Sequence, residues 1–136
     1  GKYENPAEGN RKKVLVSYSN PDPKYPAHLI LTNPKKAQDA PLSLTALSNV
    51  PTWAMIDFGA QFIRPTHYCL RHHGRDSHYL NGWIFEGKAR TSDEWQTLDE
   101  VSEVDAKETM HKGAGCWWSF PIRPGVNVKP GFSRFR

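Results

Sequence analysis

The sequence predicts a protein built almost wholly from β-strands that pack as a sandwich or a barrel. About eight short strand-like segments follow one another, with turn signals roughly every ten residues. Eleven Pro and ten Gly are scattered through the 136 residues, which is typical of many turns between short elements. No convincing amphipathic helix and no internal repeat is visible in the pattern of apolar residues. The predicted fold class is therefore all-β.

Length and composition indicate one ordinary globular domain. Charged residues make up 24% of the chain and apolar residues 38%. We expect an extended lead-in over residues 1–10 and a single domain over residues 11–136, excised from a longer protein. Residues 1–9 lack the apolar core of a signal peptide. No apolar run approaches the roughly 20 residues that a membrane-spanning helix needs.

The net charge of +4 permits an acidic partner without requiring one. Eighteen basic residues are scattered rather than gathered on one segment. Scattered Lys and Arg usually serve solubility, so we do not expect nucleic acid as the ligand.

The first fifty residues contain one clear strand. Residues 12–19 alternate β-forming side chains, and three Pro in residues 20–26 indicate a loop. Residues 27–32 fit either a strand or a buried turn, because a short apolar run does not distinguish the two. Residues 33–47 show no sustained period and are predicted to form a long loop.

The middle of the chain predicts two further strands, at residues 53–58 and 62–72. Pro65 in the second indicates an edge position, a bulge or the true start of the strand. Tyr68 and Leu70 alternate there with residues expected on the opposite face. These are His67, Cys69 and Arg71.

The last third predicts strands at residues 83–91, 95–101, 116–122 and 132–135. A polar loop over residues 73–82 precedes them. Residues 102–106 are acidic and are interpreted as a loop, while residues 108–110 fit the start of a strand. Consecutive Trp117 and Trp118 must point to opposite faces of their strand, so one ring belongs to the core.

The two cysteines are predicted to be buried free thiols. Cys69 lies within an apolar strand pattern, and Cys116 precedes an aromatic pair. A disulfide between them stays open as the alternative, although small secreted domains usually carry more cysteines.

Histidines raise the question of a metal site, because imidazole is a common zinc ligand. His67, His72, His73 and His78 lie close together in the sequence. An odd separation places His67 and His72 on opposite faces of a strand, and no HExxH or CxxC motif is present. We therefore expect no metal and keep a His-cluster metal-dependent hydrolase only as an alternative.

No arrangement of residues meets the requirements of catalysis. A GxSxG elbow, a glycine-rich phosphate loop and a marked pair of carboxylates are all missing from the sequence. The sequence thus predicts a protein that is not an enzyme and needs no cofactor.

The most distinctive binding feature is the loop over residues 73–79. It combines cationic, acidic and aromatic side chains between two strong strands, and such loops commonly carry recognition. The equally weighted alternative is that Asp76 and Ser77 only build the turn. The candidate ligand contacts in this loop are His73, Arg75, Asp76, His78 and Tyr79.

Four motifs in a fixed order resemble a known family. They are WAMIDFG at 53–59, RPTHYCLRH at 64–72, NGWIFEG at 81–87 and WQTL at 95–98. This order is similar to the discoidin, or coagulation-factor 5/8 type C, domain of the galactose-binding-like superfamily. The closest similarity is to the intracellular branch attached to BTB, HECT and other ubiquitin-ligase or scaffold proteins. The chain departs from that pattern at an extra His73 and at residues 88–93.

The resemblance implies an eight-stranded jelly-roll sandwich that acts as a non-enzymatic, intracellular (cytoplasmic or nuclear) binding module. Its ligand, a protein or peptide, would contact loops at one end, near residues 19–26, 35–48 and 73–80, which adds Tyr25 to the candidate contacts. A carbohydrate is the alternative ligand in such a fold. The motif residues with an expected structural role are Trp53, Asp57, Arg71, His72, Trp83 and Glu86.

Overall fold

A computed structural model describes residues 14–20, 52–71, 80–90, 93–110 and 117–136. These residues form seven strands and one short helix, so the prediction of a mainly β protein is confirmed. The sequence predicts about eight strands, and the described residues contain seven. In chain order the elements are β1 Leu15–Tyr18, β2 Ala54–Asp57, β3 His67–Arg71, β4 Trp83–Lys88, β5 Gln96–Val101, α1 Glu103–Thr109, β6 Trp117–Pro121 and β7 Arg134–Phe135.

The strands form two antiparallel sheets. The larger sheet has five strands in the order β1-β2-β7-β4-β5, and the smaller one pairs β3 with β6. The last strand in the sequence thus lies in the middle of the larger sheet. A bulge between Phe85 and Glu86 interrupts the register of β4 with β5. Leu98 is the extra residue of β5 at this point, and it is fully buried.

Aromatic side chains pack the two sheets against each other. Tyr68 of β3 stacks on Phe85 of β4, with ring centroids 4.3 Å apart, and on Phe120 at 5.3 Å. Trp83 meets Phe120 edge-on at 5.0 Å. Such rings bury large apolar areas and prefer these offset or edge-on arrangements. The result is a sandwich-like packing of the smaller sheet on the larger one.

The core divides into two clusters along the strands. One contains Val101, Ala106, Met110 and Phe120, and the other contains Leu98, Phe132 and Phe135. Gly87 is required at the second cluster because a Cβ atom there would lie 2.8 Å from the Phe132 ring.

Residues 102–110 correct two predictions, because they form a helix rather than a loop and the start of a strand. Ser102 is the N-cap, and its hydroxyl accepts a hydrogen bond of 3.2 Å from the backbone N–H of Asp105. Ala106 and Met110, one helical turn apart, are fully buried against the sandwich. The acidic side chains of this segment remain on the exposed face of α1.

The strand predicted over residues 62–72 is shorter than expected and begins at His67. Ile63 forms only an isolated bridge with Phe132, and Pro65 separates that bridge from β3. Of the three interpretations of Pro65, the boundary of the strand is the one observed. Tyr68 and Leu70 turn inward as predicted, with Trp118 opposite Leu70.

The prediction that Cys69 is buried is wrong, because the residue is exposed and its thiol is free. Its position between Tyr68 and Leu70 explains the exposure, since neighbouring side chains of a strand point to opposite faces. The prediction for Cys116, the segment at 27–32 and the lead-in at 1–10 all lie outside the described residues. Within the described ranges, no helix is long and apolar enough to cross a membrane.

Candidate recognition surface

Six strand termini meet at one end of the sandwich, which we call the loop end. Tyr18 and Ala54 are paired where β1 stops and β2 starts, and Trp83 and Val101 are paired where β4 starts and β5 stops. The cluster around Val101 also contains Leu70 and Trp118, which places the end of β3 and the start of β6 nearby. The connections that the sequence predicts as ligand loops leave from this end.

Trp53 lies at the loop end with its backbone fixed to β1. Its N–H donates to the Ser19 hydroxyl at 2.9 Å, and the Ser19 N–H donates to the Trp53 carbonyl at 3.0 Å. The indole is 36% exposed. Two hydrogen bonds therefore hold the backbone of a residue that leaves part of a large aromatic ring in solvent.

Arg71 and Trp117 form the most prominent pair at the loop end. They face each other directly across β3 and β6. The guanidinium carbon of Arg71 lies 5.4 Å from the Trp117 ring centroid, within cation–π range. Trp117 is 54% exposed, whereas Trp118 packs against the core, so the prediction that only one ring is buried is confirmed.

The outer face of the small sheet continues below this pair. Cys69 faces Ser119, and His67 faces Pro121. All four residues are exposed. The face thus carries the Arg71–Trp117 pair at the loop end and small or polar side chains further along.

A polar network lies between the sheets, beneath the exposed face. The Tyr68 hydroxyl donates to Asp99 at 2.7 Å and accepts from the Trp83 indole N–H at 2.8 Å. Burial, together with the hydrogen bond to Asp99, raises the pKa of the Tyr68 hydroxyl well above its usual value. The phenol therefore stays protonated and serves as a donor inside the core.

The acidic residues of the family-like motifs are paired with arginines of the C-terminal segment. Asp57 accepts from Arg134 at 2.7 Å and from the Gly59 N–H at 2.7 Å. Glu86 accepts from Arg136 at 2.5 Å. The spacing within the motifs gave no sign of these partners, because they come from the far end of the sequence.

The predicted ligand contacts and one motif residue lie outside the described residues. Of the loop at residues 72–79 the structure describes only the two flanking residues, Arg71 and Leu80, and Leu80 is exposed. The residues concerned are Tyr25, His72, His73, Arg75, Asp76, His78 and Tyr79. The structure instead brings together Arg71 and Trp117. The sequence predicted a structural role for Arg71 and only a strand position for Trp117.

Titratable groups in the described ranges do not converge on a common point. No group of three or more His, Cys, Asp or Glu there is close enough to hold a metal ion. His67 is exposed, and its Nδ1 lies 3.3 Å from the Thr66 hydroxyl.

Comparison of the chain with protein-family models, curated proteins and solved structures finds no match. The similarity to discoidin domains therefore rests on the order of its motifs and stays a prediction. Function has to be inferred from the surface of the molecule itself.

Proposed function

We propose that this protein is a non-enzymatic recognition module that binds a protein or peptide partner through the loop end. The scaffold in this proposal is an eight-stranded jelly roll of the discoidin type. In this proposal the loops predicted at residues 19–26, 35–48 and 73–80 supply further contacts to the partner.

The exposed Trp117 ring is the observation that carries the proposal. Trp117 is 54% exposed, and the core receives the ring of the neighbouring Trp118 instead. Trp and Arg are also the residues most enriched among the energetically dominant contacts of protein interfaces. An Arg stacked on an exposed Trp is thus a fitting anchor for a partner.

Backbone geometry supports the same proposal. Arg71 and Trp117 lie on paired strands, and their inward neighbours Leu70 and Trp118 pack on the core. The pair is therefore held in place before any ligand arrives. Rigid contact residues lose little conformational freedom on binding, which favours affinity.

A carbohydrate is the second candidate ligand. An exposed indole face offers a stacking surface for a sugar ring, and Arg71 lies beside it as a hydrogen-bond donor. A glycan array separates the two candidates. A defined glycan that binds wild-type protein but not Trp117→Ala would favour the sugar over a protein.

The test of the main proposal is selection of binding peptides from a displayed random library, followed by affinity measurement with variants. We expect Trp117→Ala to weaken the selected peptides by about ten-fold or more, as for a dominant interface contact. Arg75→Ala and Tyr79→Ala test the adjacent predicted loop in the same way. Ile84→Ala is the matched control, because Ile84 is also half exposed but lies on β4, away from the pair.

Peptides that bind wild-type protein and Trp117→Ala equally would contradict the assignment of this surface. Melting temperatures within about 2 °C of wild type would show that weakened binding is not caused by unfolding. Elemental analysis of the purified protein addresses the metal-dependent hydrolase directly, since bound zinc in stoichiometric amount would favour that alternative.

The resemblance also suggests where such a module acts. We propose that it recognises substrates or partners within a larger intracellular ubiquitin ligase or scaffold protein. The sequence of the parent protein tests this, because a BTB, HECT or RING neighbour would agree with it and a secretory leader would contradict it.

A further inference from the structure

A second surface lies at the opposite end of the sandwich, where β2 leads into β3 and β6 leads into β7. Ile63 and Phe132 bridge these two connections through a pair of backbone hydrogen bonds. The Ile63 N–H donates to the Phe132 carbonyl at 2.9 Å, and the Phe132 N–H donates to the Ile63 carbonyl at 2.8 Å. The connections are thereby fixed to each other.

The bridge determines which side chains this end displays. Ile63 packs against the buried cluster that contains Phe132. Because side chains alternate along an extended segment, Phe62 and Arg64 on either side of Ile63 point outward. Phe62 is 56% exposed, and Arg64 is also exposed.

Gly131 brings the second connection into contact with this exposed pair. Its φ of 73° lies in the left-handed region, which favours glycine. A Cβ atom on Gly131 would lie 3.1 Å from the Phe62 Cβ and 3.7 Å from the Arg64 Cγ. Lys129 is exposed in the same turn, in which the Gly131 N–H donates to the Val128 carbonyl at 3.0 Å. We call Phe62, Arg64 and Lys129 the Phe62 patch.

The Phe62 patch is positively charged. Its two cationic side chains, those of Arg64 and Lys129, are exposed, and among the described residues they take part in no ion pair. Residues 58–71 and 117–136 contain no Asp or Glu at all. The described acidic residues near this end are Asp57, which is paired with Arg134, and Asp93 and Glu94. Asp93 and Glu94 belong to the β4–β5 connection, and β7 lies between β4 and β2. An exposed aromatic ring is thus bordered by cations.

We propose that the Phe62 patch docks an acidic peptide segment that carries an apolar side chain. The apolar side chain covers the Phe62 ring, and the carboxylates pair with Arg64 and Lys129. This site is separate from the surface around Trp117, which lies at the other end of the sandwich. The protein would accordingly hold two partners, or two parts of one partner, at opposite ends.

The composition of the patch favours a peptide over a membrane or nucleic acid. Each cation near an anionic membrane contributes about 1 kcal/mol, so two cations and a single aromatic ring give only weak membrane binding. Nucleic-acid binding draws on many phosphate contacts, whereas this patch offers two cations. A single exposed ring with cations beside it is complementary to a short peptide that carries one apolar side chain and acidic neighbours. Gln61, which precedes Phe62, is also exposed.

The test uses a fluorescein-labelled peptide that alternates Glu with Leu, with fluorescence anisotropy as the readout. We expect saturable binding that weakens about ten-fold in Arg64→Glu and in Phe62→Ala. Raising the salt concentration should also weaken binding, because exposed charges are screened. The matching peptide that alternates Lys with Leu should not bind.

Two variants serve as controls. Arg90→Glu makes the same charge change at an exposed residue outside the patch and should leave binding unchanged. Trp117→Ala should also have no effect, which separates this site from the loop end. Circular dichroism melting curves establish that Arg64→Glu and Phe62→Ala remain folded.

Several outcomes would overturn the inference. They are a lack of saturable peptide binding, equal loss of affinity in Arg64→Glu and Arg90→Glu, or binding by Phe62→Ala at wild-type strength. Sedimentation with phosphatidylserine vesicles and anisotropy with single-stranded DNA identify the other ligand classes. A Phe62-dependent signal with either of these, without peptide binding, would replace the peptide with that ligand.

Discussion

The hydroxyl of Tyr68 in β3 donates a 2.7 Å hydrogen bond to Asp99 in β5, which joins the two sheets of the sandwich. The same oxygen accepts from the indole N–H of Trp83 at 2.8 Å. Aromatic rings surround this network, with Phe85 and Phe120 stacked on the Tyr68 ring. The three side chains satisfy one another's hydrogen-bonding groups. Without these partners, polar groups in the interior would destabilise the fold.

Removing the Tyr68 hydroxyl should lower the free energy of unfolding, because two polar groups lose a hydrogen-bond partner at once. Tyr68→Phe leaves both the Asp99 carboxylate and the Trp83 N–H without this partner. We expect a loss of about 1–3 kcal/mol in the free energy of unfolding, measured by urea denaturation. Cys69→Ser is the matched control at the exposed neighbour. A Tyr68→Phe protein as stable as this control would show that the network contributes little.

The same hydroxyl predicts a loss of stability at alkaline pH. Burial raises its pKa in the folded state, while the unfolded chain keeps the ordinary value of about 10. The unfolded state therefore releases the proton first, so the contribution is complete below about pH 10 and declines above it. We expect the stability difference between wild type and Tyr68→Phe to shrink as the pH rises past that value. A difference that stays constant up to about pH 11 would contradict this.

The ion pair of Asp57 with Arg134 should be stronger than the helical pair of Glu103 with Lys107. Side-chain exposures are 14% for Asp57 and 28% for Arg134, against 61% and 56% for Glu103 and Lys107. Double-mutant cycles with alanine should give a coupling energy of about 1 kcal/mol for the first pair. For the helical pair we expect about 0.3–0.5 kcal/mol. Equal coupling in both cycles would contradict the role assigned to partial burial.

Gly87 should not tolerate a methyl group. In Gly87→Ala the new Cβ would lie 2.8 Å from the Phe132 ring and 2.9 Å from the Leu98 Cδ1. We expect a loss of about 1–3 kcal/mol from overpacking, measured by urea denaturation. The same substitution in a Phe132→Leu background should cost less, because the smaller side chain can move aside. An equal loss of stability in both proteins would indicate that the backbone conformation at residue 87, and not contact with the Phe132 ring, causes the loss.

Ser102 should stabilise α1 through its cap. Ser102→Ala removes the acceptor for the Asp105 N–H, which costs about 1 kcal/mol. Ser102→Thr keeps the acceptor and also the hydroxyl that donates to the Asp105 carboxylate at 2.7 Å, so it should retain most of the stability. Ser119→Ala, at an exposed strand position, is the control. If Ser102→Thr lost as much as Ser102→Ala, the cap would not be the cause.

Alternation in the sequence predicted the strands well, because neighbouring side chains of a strand face opposite sides. It failed for α1, where only Ala106 and Met110 are buried. A helix of seven residues, about two turns, is too short to show a sustained period of 3.6 residues. The combination of Ser102 with Asp105 was the available signal, since a capping residue followed by an acidic residue is typical of a helix start.

The spacing of residues in the sequence did not predict contacts between distant parts of the chain. Asp57 and Arg134 are 77 residues apart, and Glu86 and Arg136 are 50 apart. Local patterns identify the acidic residues but not their partners. Exposure was equally hard to predict at Phe62, because only the bridge at Ile63 determines which way its neighbours point.

The central position of β7 sets an order on how the larger sheet can assemble during translation. β1 can pair with β2 and β4 with β5 as soon as these strands leave the ribosome, but no described strand joins the two pairs until residues 134 and 135 emerge. Until then, β2 and β4 each present an unpaired edge on which another nascent chain can add a strand. Cleavage just before Arg134 would recreate that state in the mature protein by splitting one sheet into two ribbons.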